Sequence, residues 1–173
     1  SFETAREISK KIKNKISKIG VFVNQEKKII KKAIKSIPLN MIQLHGDENP
    51  LFCSSFSIPV IKAIQIKNNE SINKVKEYNV DAILFDTYKK NLRGGTGSSF
   101  DWNILSNQKY DKPIILSGGL NTKNVLEAIN TINPNAIDVN SGVEVSPGIK
   151  SHSKVKKFYN TINQTKNTGF QFE

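Results

Sequence analysis

The chain is short of the residues that cross-link proteins or bind metals. Its 173 residues include one Cys, one Trp, one Met and two His. One Cys excludes a disulfide framework within the chain and fits a reducing, cytoplasmic setting. The two histidines, His45 and His152, stand far apart, with no second His at ligand spacing, so we expect no metal site. No apolar run approaches the roughly 20 residues that cross a bilayer. The opening Ser1-Phe2-Glu3-Thr4-Ala5-Arg6-Glu7 is polar and has no apolar core of the secretory-signal kind. Acidic residues are also scarce, 15 against 26 Lys and Arg, which leaves a formal charge of +11. Such a charge can mark a nucleic-acid binder, but no interleaved aromatics or recognised module accompany it. Lys10, Lys11, Lys13 and Lys15 share a helical pattern with Ile8, Ile12 and Ile16 on the other side, as on a solvated helix face. We therefore expect neither a nucleic-acid nor a membrane partner.

With 37% hydrophobic and 24% charged residues, the composition is that of a soluble globular chain, long enough for one domain around one core. Short apolar runs alternate with helical patterns. A helix over 3–16, which Ser1 can cap, leads to a short buried strand at Ile19–Val23, closed by Asn24. A helix over 26–36 precedes a strand at Met41–Leu44. A short helix over 49–56 and a strand at Val60–Ile64 follow, then a helix near 70–78. The strand Ala82–Asp86 opens a Gly-rich loop and a short helix around Trp102–Leu105. The last strands, Ile114–Ser117 and Ala136–Val139, lead to helices at about 121–132 and 151–163. The tail 165–173 has no pattern and is expected to fray. Continuous apolar strands between helices imply a parallel sheet covered on both faces. A doubly wound sheet or a barrel satisfies this. The barrel is favoured because Gln43, His45, Asp86, Ser117, Asp138 and Asn140 all fall at or near strand C-termini, where barrel enzymes place their chemistry.

Two Gly-containing turns follow the last two strands: Ser117-Gly118-Gly119-Leu120-Asn121 and Asn140-Ser141-Gly142-Val143-Glu144. Glycines let backbone approach a ligand closely, and helix N-termini offer N–H groups to an anion. Phosphate commonly binds at this place in eight-stranded barrels. Asp86 ends an apolar strand, where burial raises a carboxylate pKa and suits a general acid; loop capping or pairing with Arg93 explains it equally well. His45, followed by Gly46, suits substrate binding, holding a carboxylate or acid–base work, against the plainer reading of a loop His bonded to backbone. The loop Gly94-Gly95-Thr96-Gly97 reads as a segment over the site. Trp102 either covers a substrate ring or anchors its helix. Cys53, in a helix with no base motif nearby, reads as a structural thiol.

These segments, in this order, resemble the phosphoribosylanthranilate isomerases of tryptophan biosynthesis. The resemblance rests on Val21-Phe22-Val23-Asn24, Gln43-Leu44-His45-Gly46-Asp47-Glu48, Asp86, and Gly94-Gly95-Thr96-Gly97 with Phe100-Asp101-Trp102. Leu116-Ser117-Gly118-Gly119-Leu120 and Asp138-Val139-Asn140-Ser141-Gly142-Val143-Glu144 with Pro147-Gly148 complete it. It implies a (β/α)₈ TIM barrel of which strands three to eight are present, as one partial domain over 1–173. It implies an Amadori rearrangement of N-(5′-phosphoribosyl)anthranilate without cofactor or metal. Asp86 is then the general acid. The Gly118-Gly119 and Ser141-Gly142 turns hold the phosphate with Asn140, Gln43, His45 and Asp138 line the site, and Gly95 belongs to the substrate-binding loop. The family's general-base Cys in strand one and its anthranilate-contacting Arg after strand two have no counterpart here, so a catalytically incompetent, sugar-phosphate-binding fragment is the alternative. Fusion behind an indole-glycerol-phosphate synthase domain is one arrangement the family allows. Related phosphoribosyl or indole-glycerol-phosphate barrels share the phosphate turns but fit the His45 motif less well.

Overall fold

The computed structural model describes residues 1–12, 16–87, 102–106 and 108–163. Gly95 with the rest of its loop, Arg93, and the tail expected to fray lie outside the described residues. Residue contacts group into two compact units, Ser1–Ala63 with Val75–Ile83, and Ile64–Lys74 with Leu84–Glu173. No helix among the described residues is long and apolar enough to cross a membrane.

The elements run α1 (Phe2–Lys11), β1 (Ile19–Phe22), α2 (Lys27–Ser36), β2 (Met41–Leu44), α3 (Pro50–Cys53) and β3 (Val60–Ile66). Then come α4 (Asn69–Asn73) with a 3₁₀ turn, β4 (Ala82–Thr87), α5 (Asn103–Ser106), β5 (Ile114–Leu116), α6 (Val125–Ile132) and β6 (Ala136–Ile137). A 3₁₀ turn at Ser141–Val143, the hairpin β7 (Glu144–Ser146) and β8 (Ile149–Lys150), and α7 (His152–Asn163) close the order. Strands β1 to β6 form one sheet in sequence order. The pairs β1–β2, β2–β3 and β5–β6 are parallel. A doubly wound sheet reverses its strand order partway. This sheet does not, and the barrel arrangement is the one that fits.

The element ends follow local chemistry. The Ser1 hydroxyl accepts from the Thr4 N–H and caps α1, which stops at Lys11, well short of 16. Asn49 caps α3 through Phe52 N–H, with Pro50 inside the first turn. Asn24 ends β1 at φ 49°, a left-handed conformation Asn tolerates. The 3.6-residue pattern of α2 buries Ile30 and Ala33. The run at β3 is buried on both faces, as covered parallel strands require.

Two expectations need correction. β1 is not a buried strand: Ile19, Val21 and Val23 are 42%, 59% and 46% exposed. It stands first in the sheet order, and its outer side chains, with Ile8 of α1 and Ile12 just beyond that helix, line an apolar groove of about 650 Å³. Nor does the last Gly turn run straight into a helix. The β7–β8 hairpin intervenes, turning at Gly148, whose φ of 80° glycine adopts without strain.

One device recurs at the strand starts. An Asx residue immediately before β2, β4 and β6 bonds both backbone groups at the start of the odd strand beside it. The Asn40 N–H donates to Lys18 O while its Oδ1 accepts from Lys18 N–H. Asp81 does the same to Val60, and Asn135 to Ile114. A side chain here supplies the acceptor that the strand's first N–H would otherwise lack. Asn135→Ala should therefore strand the Ile114 N–H, a residue 4% exposed. We expect a loss of about 1–3 kcal/mol in urea unfolding, with the spectrum of the folded state unchanged.

Candidate functional site

In the first unit the chemistry gathers where β2 ends. The parallel register sets Phe22 beside Leu44, and the His45 N–H continues the ladder by donating to Phe22 O at 2.8 Å. His45 is half-buried. Its Nδ1 lies 2.9 Å from Gln43 Nε2. With that amide as donor, Nδ1 is the acceptor and Nε2 is the ring nitrogen left to carry a proton. Gly46 is squeezed against the neighbouring loop: a Cβ there would lie 2.6 Å from Asn24 N. Asp47 N–H donates to Asn24 Oδ1 at 2.6 Å, and Asn24 Nδ2 donates to Asp47 Oδ2 at 3.1 Å.

Beneath this turn lies a buried ion pair. Lys62 Nζ and Glu48 Oε2 are 2.9 Å apart, with both side chains 3% exposed. Lys62 also donates to Leu44 O at 3.2 Å and Gly46 O at 2.7 Å. Glu48 accepts from Asn24 N–H at 2.8 Å and Gly46 N–H at 2.9 Å. Burial pushes the Glu48 carboxyl upward, but the Lys62 and backbone N–H bonds together outweigh it and hold it below its ordinary value. Cys53 is fully buried beside the pair, and burial pushes its thiol up to about 11. So high a value leaves almost no thiolate at neutral pH, in keeping with a structural thiol.

In the second unit Asp86 ends β4 and is 5% exposed. Arg93, its alternative partner, lies outside the described residues. Next to it, Ser117 N–H donates to Phe85 O at 2.8 Å. The Ser117 hydroxyl donates to Asp138 Oδ2 at 3.1 Å, and Asp138 N–H donates to Leu116 O at 2.8 Å. Gly118 and Gly119 take φ 90° and 68°, two successive left-handed residues that a Cβ would strain. The Gly119 carbonyl is held by Asn121 Nδ2 at 3.0 Å and Asn124 Nδ2 at 3.1 Å. The second turn packs directly onto the first: a Cβ on Gly142 would lie 1.9 Å from Leu120 O. Ser141 is half-buried beside it. Asn140 accepts from Lys150 Nζ through both its carbonyl and its side chain, and Lys150 also pairs with Glu144 at 2.6 Å. Trp102 is 7% exposed, with no hydrogen-bond partner for its buried Nε1 among the described residues. That burial favours its role as an anchor for α5.

The structure thus brings Gln43 to His45 in one unit. In the other it brings together Ser117, Gly118, Gly119, Asp138, Asn140, Ser141 and Gly142. Sequence reasoning missed Lys62 and Lys150. A lysine inside the apolar run Val60-Ile61-Lys62-Ala63-Ile64 was the available signal for the first, since a buried charge needs a partner. Nothing local marked Lys150. Among the described residues no three His, Cys, Asp or Glu side chains gather as a metal site requires.

A sequence-ordered parallel α/β sheet, with polar side chains at the strand ends and paired Gly turns after the last two strands, defines a barrel-type enzyme class that handles phosphorylated small molecules. Comparison with known proteins narrows it. A family model described as N-(5′-phosphoribosyl)anthranilate (PRA) isomerase matches residues 1–161, and the chain belongs to that family. It is 40% identical to the N-(5′-phosphoribosyl)anthranilate isomerase of Syntrophomonas wolfei over 94% of this chain and 79% of that one. The Legionella pneumophila protein of the same name is 43% identical over the same shares. Among solved structures, the isomerase from Thermotoga maritima superposes with a TM-score of 0.85 at 36% identity, over 95% of this chain and 81% of that one. A phosphoribosyl anthranilate isomerase in complex with reduced 1-(o-carboxyphenylamino)-1-deoxyribulose 5-phosphate gives 0.80 at 34%, over 95% and 80%.

The ion pair has a measurable consequence. A carboxyl held below its ordinary value stabilises the fold above that value and loses the contribution as pH falls through the lowered one. Unfolding free energy should therefore drop as the solution is acidified below Glu48's ordinary 4.5. In Glu48→Gln the drop should be shallower, as urea midpoints at successive pH values will show.

Proposed function

We propose that this chain carries the acid and phosphate-binding parts of an isomerase acting on N-(5′-phosphoribosyl)anthranilate. The observation that supports it most is the second unit's arrangement. Asp86 ends β4, Ser117 beside it bonds Asp138, and two Gly turns pack against each other after β5 and β6. The phosphate is held by Gly118, Gly119, Ser141 and Gly142, with Asn140 fixed by Lys150 at the edge of the cradle. Backbone N–H groups in such turns suit a dianion.

In this reading Asp86 protonates the furanose ring oxygen. The ring C–O bond breaks, and the anthranilate nitrogen's lone pair forms a Schiff base at C1′. A base then removes the C2′ proton, and the electron pair moves through C2′–C1′ to nitrogen. The enol that results tautomerises to the aminoketose, 1-(2-carboxyphenylamino)-1-deoxyribulose 5-phosphate. No redox step occurs, and acid–base chemistry alone suffices. His45 and Gln43 line the substrate, His45 as a neutral donor. Gly95 belongs to the substrate-binding set by the family resemblance.

The chain spans about four-fifths of the length of its relatives, and no counterpart of the family's general-base Cys or anthranilate-binding Arg is recognisable in it. We assign them to two further βα units of a single eight-stranded barrel. The exposed apolar groove along α1 and β1 suits such a unit, and an unpaired strand edge favours another strand. In this reading the chain works in the cytoplasm, where Cys53 stays reduced. Fusion behind an indole-glycerol-phosphate synthase domain is the partner arrangement that the family resemblance allows.

The test is turnover followed by loss of substrate anthranilate fluorescence. Asp86→Asn in the full-length enzyme should lower kcat by roughly 10²–10⁴-fold; near-normal turnover would take Asp86 out of the acid role. Residues 1–173 alone should show no turnover while still binding ribose 5-phosphate. Activity comparable to an intact isomerase would refute the assignment of the base to other elements. Gly142→Ala should raise KM more than it lowers kcat, since its Cβ must displace Leu120 O. An unchanged KM would separate that turn from phosphate binding.

A further inference from the structure

Lys62 and Glu48 form an expensive structure. Burying an ammonium and a carboxylate costs several kcal/mol per ion in desolvation, and a well-packed apolar pair is often as stable or more so. Stability alone is therefore a poor reason for the pair. Its geometry supplies a better one. A lysine ammonium has three protons to donate. Lys62 directs them to Leu44 O, Gly46 O and Glu48 Oε2 at 3.2, 2.7 and 2.9 Å. Leu44 and Gly46 are the residues on either side of His45. Glu48 returns to the same turn, accepting from Gly46 N–H with Oε2 and from Asn24 N–H with Oε1. Its own carbonyl is held by the Tyr78 hydroxyl at 3.1 Å.

We propose that the buried Glu48–Lys62 pair is a positioning device for His45. It fixes the peptide groups before and after the imidazole to β3 and to the end of β1, so the ring leaves the turn in one direction. The Gly46 approach to Asn24 removes the slack that would let the turn drift. Gln43 then selects the ring tautomer. Neither charge touches substrate; both act through His45. Displacing a binding group by about 1 Å can cost roughly 10²-fold in rate, which is reason enough to retain a pair that contributes little to stability. The inference rests on the assignment of His45 to the substrate site made above.

The experiment uses the full-length protein and two readouts. The first is ring-¹⁵N NMR of His45, its signals identified by their loss in His45→Asn. The wild-type ring should show a single tautomer protonated at Nε2. Glu48→Gln/Lys62→Met removes the charges together and so avoids an unpaired buried ion. In it the ring should show both tautomers in exchange. Should that variant fail to fold, Glu48→Gln alone, which keeps the side-chain shape and weakens the bond to Lys62, should show the same mixing in smaller measure. An unchanged ring signal in a folded variant overturns the proposal.

The second readout is kinetic. The pair variant should lose ~10–100-fold in kcat/KM, and adding it to His45→Asn should cost nothing further. Additive losses would mean that the pair acts on the enzyme by another route, and the proposal would fall. Mixed tautomers with a kinetically silent His45→Asn would leave the device standing and remove His45 from the substrate site.

Discussion

Parallel pairing is the constraint on which the other features depend. In a parallel ladder both strands run the same way, so residues just past their ends become neighbours. The β1–β2–β3 register sets Phe22 beside Leu44 and Leu44 beside Lys62. Asn24, the His45 turn and a lysine therefore meet at one place in the first unit. The β5–β6 register sets Leu116 beside Ile137, which brings the next residues, Ser117 and Asp138, within hydrogen-bonding distance. No long-range search is needed to assemble either cluster once the strands pair. The Asx clamps at Lys18 and Ile114 hold the opposite ends of the β1–β2 and β5–β6 pairs, and the one at Val60 holds the start of β3 beside β4. A slip by one residue would break those clamps and turn every buried side chain outward.

The two clusters are stiffened by different means. The His45 turn is held by charge, through a lysine that spends all its protons and a carboxylate that accepts from two backbone amides. In a low-dielectric interior such bonds are strong when fully satisfied and costly when any one is missing. The two Gly turns are held by shape. Gly118 and Gly119 follow a path closed to other residues, two Asn amides hold the Gly119 carbonyl, and Gly142 fits only because it lacks a Cβ.

Family membership explains why so many separate motifs were readable. The His45 motif, the strand-end aspartates and the Gly turns each do one local job, so each keeps a local signature. Helix positions were equally visible where an apolar stripe repeats, as in α2. Ends were read less well: α1 stops at Lys11, where Ile12 turns to extended backbone at φ −80° and ψ 130°, although the apolar spacing continues to Ile16. Exposure was read wrongly for β1. Val21 and Val23 look like core residues because strand composition reports what a position suits, not what covers it.

By itself the sequence determined the alternation of strands and helices, the strand-end placement of Gln43, His45, Asp86 and Asp138, and the two glycine turns. These follow from periodicity and from residue types whose backbone or chemical needs are local. Tertiary structure alone decided that Lys62 reaches across from β3 to the peptides flanking His45, that Gly142 lies against Leu120, and that Lys150 comes back to Asn140. Each joins residues separated by many positions in the chain. Such contacts carry no mark in the local pattern, because they exist only after strand pairing has set the distance between them.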